Sequence, residues 1–188
     1  LLEMSTKYDC PGVFVHGFTD GRDVDPKSGA GYLQKLSQKL DQTKAKLPTK
    51  TGRYYAMDRD KRWERVKKAY DALVHGKGTP TQNMIESIEA SYAAGVTDEF
   101  IEPLIGVDSK NQPLGKIAHG DVVIFFNYRT DRGRQLTEAL SQFAFPDQNM
   151  TPLDLHYVTL TNYDKNFKNV KVVFEKDNLE DTLCETLS

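Results

Sequence analysis

Residues 121–127 constrain the fold of this 188-residue chain more than any other segment, because five consecutive apolar side chains lie between Asp121 and Asn127. All five are β-branched or aromatic, which favours a strand over a helix. A strand that is apolar at every position rather than at every second one is typical of a central parallel strand buried on both faces. The segment therefore predicts a parallel sheet covered by helices, the arrangement of an α/β domain.

The rest of the chain alternates apolar runs of strand length with stripes at helical spacing. Strands are predicted at 12–18, 155–161 and 170–174. Helices are predicted at 32–40, from Asp58 or Asp60 to 74, at 79–92 with Gly95 as the stop, and at 136–143 and 178–187. The third helix is expected to begin with Thr79 as its N-cap. Residues 47–51 are too polar to favour a strand. With no repeats and no long linker, residues 1–188 are interpreted as one three-layer α/β domain with a mostly parallel or mixed central sheet.

Composition excludes several classes of protein. The net charge is -2, which disfavours a general nucleic-acid binder, and no apolar run is long enough for a membrane span. Cys10 and Cys184 are two lone thiols, as expected in a reducing cytosol. The chain opens with Leu1 and an apolar-acidic pattern typical of the middle of a helix, which suggests a piece of a longer protein.

The eight arginines occupy only three segments, whereas the lysines are scattered. Arg22 follows the first predicted strand, and Arg129 and Arg132 follow the strongest one. Since ligands gather at the carboxyl ends of parallel strands and arginine grips carboxylate and phosphate, this placement predicts a pocket for a small anion. For three of the arginines we favour exposed helix surfaces paired with nearby acids, namely Arg62, Arg65 and Arg134.

The sequence gives weaker support for metal binding and for nucleophilic catalysis. Asp20, Asp23 and Asp25 share one loop and could suggest magnesium, but Arg22 lies among them and such loops commonly carry aspartate. The four histidines lack a second ligand at helical spacing, so we expect no zinc site and predict no metal ligand in this chain. The sequence also has no phosphate-binding loop and no nucleophile elbow.

At the arginine segments the sequence resembles the cofactor-independent phosphoglycerate mutases. The motifs that carry the resemblance are residues 14–26, 52–65, 97–100 and 126–132. The resemblance implies a cytoplasmic two-domain enzyme of glycolysis that interconverts 3- and 2-phosphoglycerate without 2,3-bisphosphoglycerate. It further implies that a phosphatase-like domain outside this chain holds two manganese ions and the serine that accepts the phosphoryl group. This chain would be the inserted, substrate-binding domain and would be inactive by itself.

The same resemblance carries functional residues over to this sequence. The residues it implies for substrate binding are Arg22, Asp23, Arg53, Arg59, Arg129 and Arg132. Asp23 would also be the general acid/base at the glycerate hydroxyls. Two other interpretations stay open: a non-catalytic anion-binding module, and a single-strand nucleic-acid binder that uses Arg53, Tyr54 and Tyr55, which the net charge disfavours.

Overall fold

The computed structural model of the protein describes residues 1–10 and 12–175. The helices are α1 (Leu2–Lys7), α2 (Gly29–Leu40), α3 (Arg53–Ala56), α4 (Trp63–Tyr70), α5 (Met84–Ala93) and α6 (Thr130–Thr137). Single π-helical turns, Asp71–His75 and Glu138–Gln142, continue α4 and α6, and 3₁₀ turns span Asp98–Phe100 and Pro146–Gln148. The strands are β1 (Phe14–Thr19), β2 (Lys46–Gly52), β3 (Thr79–Thr81), β4 (Leu104–Gly106), β5 (Val122–Phe125), β6 (His156–Thr161) and β7 (Val170–Phe174).

The predicted α/β class is confirmed, but the strands are divided between two sheets. The first has the order β1-β2-β4-β3 and is mixed, because β2 and β4 are antiparallel while the other two pairs are parallel. The second, β5-β6-β7, is entirely parallel. Helices α2 and α5 pack on the first sheet through Leu33 and Ile88, and α4 and α6 contribute Val66 and Leu136 to the larger core that includes Tyr157 of β6.

The expectation that β5 is a central strand buried on both faces is wrong. Among the described residues β5 pairs only with β6, so it is an edge strand. Val123 and Phe125 pack on the larger core, whereas Val122 is 66% exposed and Ile124 42% exposed on the opposite face. Side chains alternate between the two faces of a strand, and α4 and α6 cover only one of them. The apolar run therefore predicts the strand correctly but does not predict which strands lie beside it.

The polar segment before Gly52 is a strand, contrary to expectation. β2 lies between β1 and β4, and its residues Thr49, Lys50 and Thr51 are fully buried. The pairing register with β1 shifts between Phe14 and His16, next to Pro48, which has no N–H to donate. Neighbouring strands on both sides pair the backbone here, so tertiary context outweighs a poor strand propensity.

Lys50 is the most unusual buried residue of β2. It lies opposite Leu104 of β4, which belongs to the apolar cluster under α2 and α5. Its Nζ has no hydrogen-bond partner among the described residues, and burial lowers the pKa of the amine to about 7 although the negative charge of Asp98 opposes this shift. Asp98 is itself engaged, since its carboxylate accepts from the Gly29 N–H at 2.7 Å and from the Tyr92 hydroxyl at 2.6 Å.

Helix α5 begins later than predicted. Thr79–Thr81 forms β3 against β4, and the side chain of Asn83 caps the helix by accepting from the N–H groups of Ile85 and Glu86. Asparagine is as good an N-cap as threonine, and the strand pairing of residues 79–81 decides between the two. The helix predicted at 178–187 lies outside the described residues. Within the part of the chain that is described, no helix has both the length and the hydrophobicity needed to cross a bilayer.

Candidate anion-binding site

The arginines singled out in the sequence follow three different strands. Arg22 lies in the loop after β1, Arg53 is the first residue of α3 directly after β2, and Arg59 lies between α3 and α4. Arg129 is the N-cap of α6, and Arg132 lies in its first turn, after β5. Although β1 and β5 belong to different sheets, their carboxyl ends approach each other, with ring centroids of Phe18 and Phe125 5.9 Å apart.

An open cavity of about 510 Å³ lies at this rim, within the size range of small-molecule sites. Its lining contains six arginines but only three carboxylates. The lining residues are Arg22, Arg53, Tyr54, Asp58, Arg59, Asp60, Arg62, Arg65, Glu99, Phe100 and Arg132. The excess of guanidinium groups makes the cavity suited to an anion.

Arg53 is the buried centre of the site, with a side chain only 5% exposed. Its Nη1 donates to Asp20 and, at 2.6 Å, to Asp23, while its Nε has no partner among the described residues. Burial acts to raise the pKa of the Asp20 carboxyl, but the hydrogen bonds from Arg53 and from the backbone of the same loop outweigh it and lower that pKa. Asp20 also accepts from the N–H groups of Arg22 and Asp23, which orders the loop after β1.

Carboxylates and guanidinium groups alternate across the rim. Asp23 lies between Arg53 and Arg129, whose Nη1 is 3.8 Å from the Asp23 carboxylate. Asp131 in turn accepts from Arg129 and from Arg59, both at 2.9 Å. Burial opposes ionisation of Asp131, yet these two arginines hold the pKa of its carboxyl below the ordinary value. The alternation joins the loop after β1 to the start of α6.

Arg132 lies close to several other positively charged groups. Its Nη1 donates to the carbonyl of Met57 at 2.9 Å, and its Nε lacks a partner within the described residues. Burial and the charges of Arg53 and Arg59 lower the pKa of its guanidinium, although it stays a cation at neutral pH. A bound anion would offset this repulsion. Arg22, with a side chain 61% exposed, contacts Glu99 at 3.4 Å.

The structure thus brings the six predicted site residues together, with Asp23 and Arg129 beside the cavity rather than among its lining residues. Sequence reasoning missed Asp131, whose position between Arg129 and Arg132 was the available signal. It also assigned Arg62 and Arg65 to an ordinary helix surface. Arg65 does lie 3.8 Å from Asp58, as that interpretation requires, but both arginines also line the cavity.

The remaining sequence hypotheses concern Arg134 and metals. Arg134 lies away from the cavity, where its Nε donates to the carbonyl of Tyr163 at 2.9 Å, with Asp164 at 3.9 Å. Asp20 and Asp23 bind Arg53, and Asp25 accepts from the Lys27 N–H. Among residues 1–10 and 12–175, no group of three or more His, Cys, Asp or Glu side chains is arranged to hold a metal ion.

Comparison with known proteins gives consistent matches along the chain. The family model described as "BPG-independent PGAM N-terminus" matches residues 1–165. Proteins named 2,3-bisphosphoglycerate-independent phosphoglycerate mutase from Flavobacterium johnsoniae and Flavobacterium psychrophilum are 59% and 57% identical over 187 residues. Each match covers 100% of this chain, which spans 37% of the length of those relatives.

A solved structure shares the fold. A crystal structure of Leishmania mexicana phosphoglycerate mutase, determined at low cobalt concentration, superimposes with a TM-score of 0.79 at 30% sequence identity. The superposition covers 87% of this chain and 32% of the Leishmania chain. The similarity in sequence and in fold therefore concerns one part of longer proteins.

Proposed function

Because the chain belongs to the family of 2,3-bisphosphoglycerate-independent phosphoglycerate mutases, we propose that it is the substrate-binding domain of a mutase that interconverts 3- and 2-phosphoglycerate. In this proposal residues 1–188 form one domain, inserted in a longer cytoplasmic enzyme of glycolysis and gluconeogenesis. A phosphatase-like domain outside this chain accepts the phosphoryl group on a serine, and 2,3-bisphosphoglycerate is not required.

The arginine-lined cavity carries this proposal. Once its phosphoryl group has moved to a serine, glycerate is a small ligand with one carboxylate and two hydroxyls, and it must stay bound while these hydroxyls exchange places. Arginine forks hold a carboxylate in a fixed orientation. We assign the carboxylate grip to Arg129 and Arg132, with Arg22, Arg53 and Arg59 completing the positive rim. Holding the intermediate in place replaces a bimolecular encounter by an intramolecular step.

Asp23 is the proposed general acid/base. Its carboxylate accepts from Arg53 at 2.6 Å, which fixes its orientation, while more than half of the side chain is exposed toward the open rim. A carboxylate placed in this way can take a proton from the hydroxyl that attacks the phosphoserine and return one to the other hydroxyl.

The family resemblance also implies two manganese ions. The described residues offer no donor set that fits them, so we assign the ions, together with the serine, to the part of the enzyme outside this chain. Their chemistry would be activation of the serine and neutralisation of the transferred phosphoryl group. None of the steps assigned to this chain runs through a metal.

The chain alone is expected to bind 3-phosphoglycerate without turning it over. Calorimetric titration with 3-phosphoglycerate and with an oligonucleotide, paired with a coupled mutase assay, tests this. Turnover by the chain alone would contradict the two-domain assignment, and tighter binding of the oligonucleotide would favour a nucleic-acid binder. If a longer protein containing this segment binds phosphoglycerate but does not isomerise it, the chain is a non-catalytic anion-binding module.

Replacing Arg129 or Arg132 by glutamine is expected to weaken 3-phosphoglycerate binding by about 1.5–3 kcal/mol, the usual contribution of a charged hydrogen bond. The same titration of Lys44→Gln and Lys168→Gln serves as control, since both lysines are exposed and outside the cavity lining. Equal losses from the arginine and the lysine variants would show that binding depends on overall charge and not on the arginine grip.

A further inference from the structure

One of the four motifs that carry the family resemblance contains none of the residues assigned to substrate binding. Residues 97–100 follow α5 and include the 3₁₀ turn Asp98–Phe100. Asp98 is only 1% exposed. A carboxylate is costly to bury unless protein donors replace the water that it loses. The role of this motif therefore depends on the groups that contact Asp98.

The donors to the Asp98 carboxylate come from two helices. One oxygen accepts from the N–H of Gly29, the first residue of α2, at 2.7 Å, and the other accepts from the hydroxyl of Tyr92 on α5 at 2.6 Å. The side chain of Ser28, the N-cap of α2, donates to the Asp25 carbonyl at 2.7 Å instead of capping the helix. Asp98 supplies the missing acceptor, and the helix dipole favours its negative charge at this end. Asp98 thereby fixes the start of α2.

The backbone of Asp98 holds the loop between β1 and α2 at two further points. Its carbonyl accepts from the hydroxyl of Thr19, the last residue of β1, at 2.9 Å. Its N–H donates to the carbonyl of Pro26, three residues before the start of α2, at 2.9 Å. Together with the bond from the Gly29 N–H, these contacts join both ends of the loop to one residue.

Both ends of the loop also pack directly on Asp98. Gly21 has a left-handed φ of 66°, and a Cβ at this position would lie 2.6 Å from the Cβ of Asp98. A Cβ at Gly29 would overlap the Asp98 carboxylate. Only glycine allows so close an approach of the backbone. The loop and the turn are therefore fitted to each other at two buried positions.

Asp23 lies in the exposed part of this loop. Residues 22–27 are all exposed, so burial contributes little to their placement. Arg53 binds the carboxylates of Asp20 and Asp23, which orients these side chains. The contacts with Asp98 instead determine where the loop as a whole stands relative to β1 and α2.

We propose that Asp98 is a positioning residue for the general acid/base Asp23, because it fixes both ends of the loop that carries Asp23. This inference rests on the proposed function and extends it to a buried residue outside the cavity lining. Asp98 takes no proton in the reaction and contributes to kcat only by keeping Asp23 within reach of the glycerate hydroxyls. A displacement of about 1 Å at a reacting group can lower a rate by about 10²-fold.

Steady-state kinetics of a full-length enzyme containing this segment test the proposal. Asp98→Asn keeps the size of the side chain but replaces one acceptor by an amide that donates, which weakens the bond to Gly29 or to Tyr92. We expect kcat to fall by about 10–50-fold through misplacement of Asp23. KM for 3-phosphoglycerate should rise at most about threefold, because Arg129 and Arg132 lie at the start of α6 and not on this loop.

A double-mutant cycle with Asp23→Asn separates positioning from a loss of folded enzyme. If Asp98 acts through Asp23, Asp98→Asn should change kcat by less than about twofold in the Asp23→Asn background, because the group that it positions is already inactive. A general loss of stability would instead lower kcat by the same factor in both backgrounds, and that result would overturn the proposal.

Two further variants complete the experiment. Tyr92→Phe removes one donor to Asp98 from outside the loop and should lower kcat by about two- to fivefold with the same non-additivity, which keeps the test decisive if Asp98→Asn does not fold. Asp108→Asn is the matched control, because Asp108 also accepts from two backbone N–H groups, those of Lys110 and Gln112, but lies outside the cavity lining. It should leave kcat and KM within about twofold of the wild type.

The outcomes separate this inference from the proposed function. Additive losses in the cycle, or wild-type kcat in both the Asp98→Asn and Tyr92→Phe enzymes, overturn the positioning role and leave Asp23 as the proposed general acid/base. If Asp23→Asn itself keeps wild-type kcat, the assignment of Asp23 fails, and the role of Asp98 fails with it. If the full-length enzyme does not isomerise phosphoglycerate, the proposed function fails as a whole.

Discussion

Replacing the buried Lys50 by methionine is expected to stabilise the chain by about 2–4 kcal/mol at pH 7.5, which for a chain of this size raises Tm by about 5–15 °C. A lysine whose pKa falls from 10.5 to about 7 on folding costs about 4 kcal/mol at this pH. Methionine fills a similar volume without the amine. We expect less than the full gain, because even a volume-conserving substitution in a packed core costs up to about 1.5 kcal/mol.

The pH dependence of the free energy of unfolding gives a second test of this prediction. Between pH 7 and 10.5 the unfolded chain binds a proton on Lys50 that the folded chain does not, so raising the pH favours folding by about 1.4 kcal/mol per pH unit. Below pH 7 both states are protonated and this slope vanishes. Urea denaturation at pH 7.5 and 9.5 should show a gain of about 2–3 kcal/mol in the wild-type chain relative to Lys50→Met.

Lys46→Met, at an exposed position of the same strand, is the control for this pair of experiments. It should leave both the stability and its pH dependence unchanged. Identical pH dependence in the wild-type chain and in Lys50→Met would mean that the amine is charged in the folded state. A loss of stability in Lys50→Met would mean that the charge contributes to the fold.

Replacing Asp23 by asparagine in a full-length enzyme containing this segment is expected to lower kcat by about 10²–10⁴-fold, the usual contribution of general acid–base catalysis. Asparagine keeps an acceptor for Arg53 but cannot carry a proton between the glycerate hydroxyls. KM should change much less than kcat. The measurement is steady-state kinetics in both directions, and Asp23→Glu should recover part of kcat.

The Asp20→Asn variant shows whether Asp23 transfers a proton or only positions Arg53. Asp20 is the other carboxylate bonded to Arg53 and also orders the loop after β1, but we assign it no proton transfer. It is expected to raise KM and to leave kcat within about tenfold of the wild type. If the Asp20 and Asp23 variants lose kcat to the same extent, Asp23 acts only by orienting Arg53.

Local signals in the sequence predicted the elements that depend on local structure. The strand over Val170–Phe174, the short strand His156–Thr161 and the end of α5 before Gly95, which has a positive φ of 81°, all follow from residues close in sequence. β2 and β5 show what local sequence patterns do not predict. Residues 47–51 are polar yet central, and residues 122–126 are apolar yet at an edge of the sheet formed by the described residues. Burial depends on strand neighbours that sequence patterns do not specify.

The candidate site was predictable to a similar extent. Residue type and position after a strand pointed to Arg22, Arg129 and Arg132, whereas Arg53 was expected at the site only from the family resemblance. The structure brings all four to one rim. The same reasoning undervalued Arg62 and Arg65, since an arginine at the start of an exposed helix is usually a solvated side chain. Only the three-dimensional placement of Tyr54 under Arg65 reveals that this helix borders the cavity.

The alternating carboxylates and guanidinium groups at the rim have a consequence for how the protein can change. Asp23 and Arg53 belong to the first sheet and its loops, while Arg129 and Asp131 belong to the helix that follows the second. The groups proposed to bind the ligand therefore also form the ion pairs that connect the two sheets. A substitution at the rim that changes ligand affinity will also change the stability of the contact between the sheets, so evolution cannot adjust the two properties separately there.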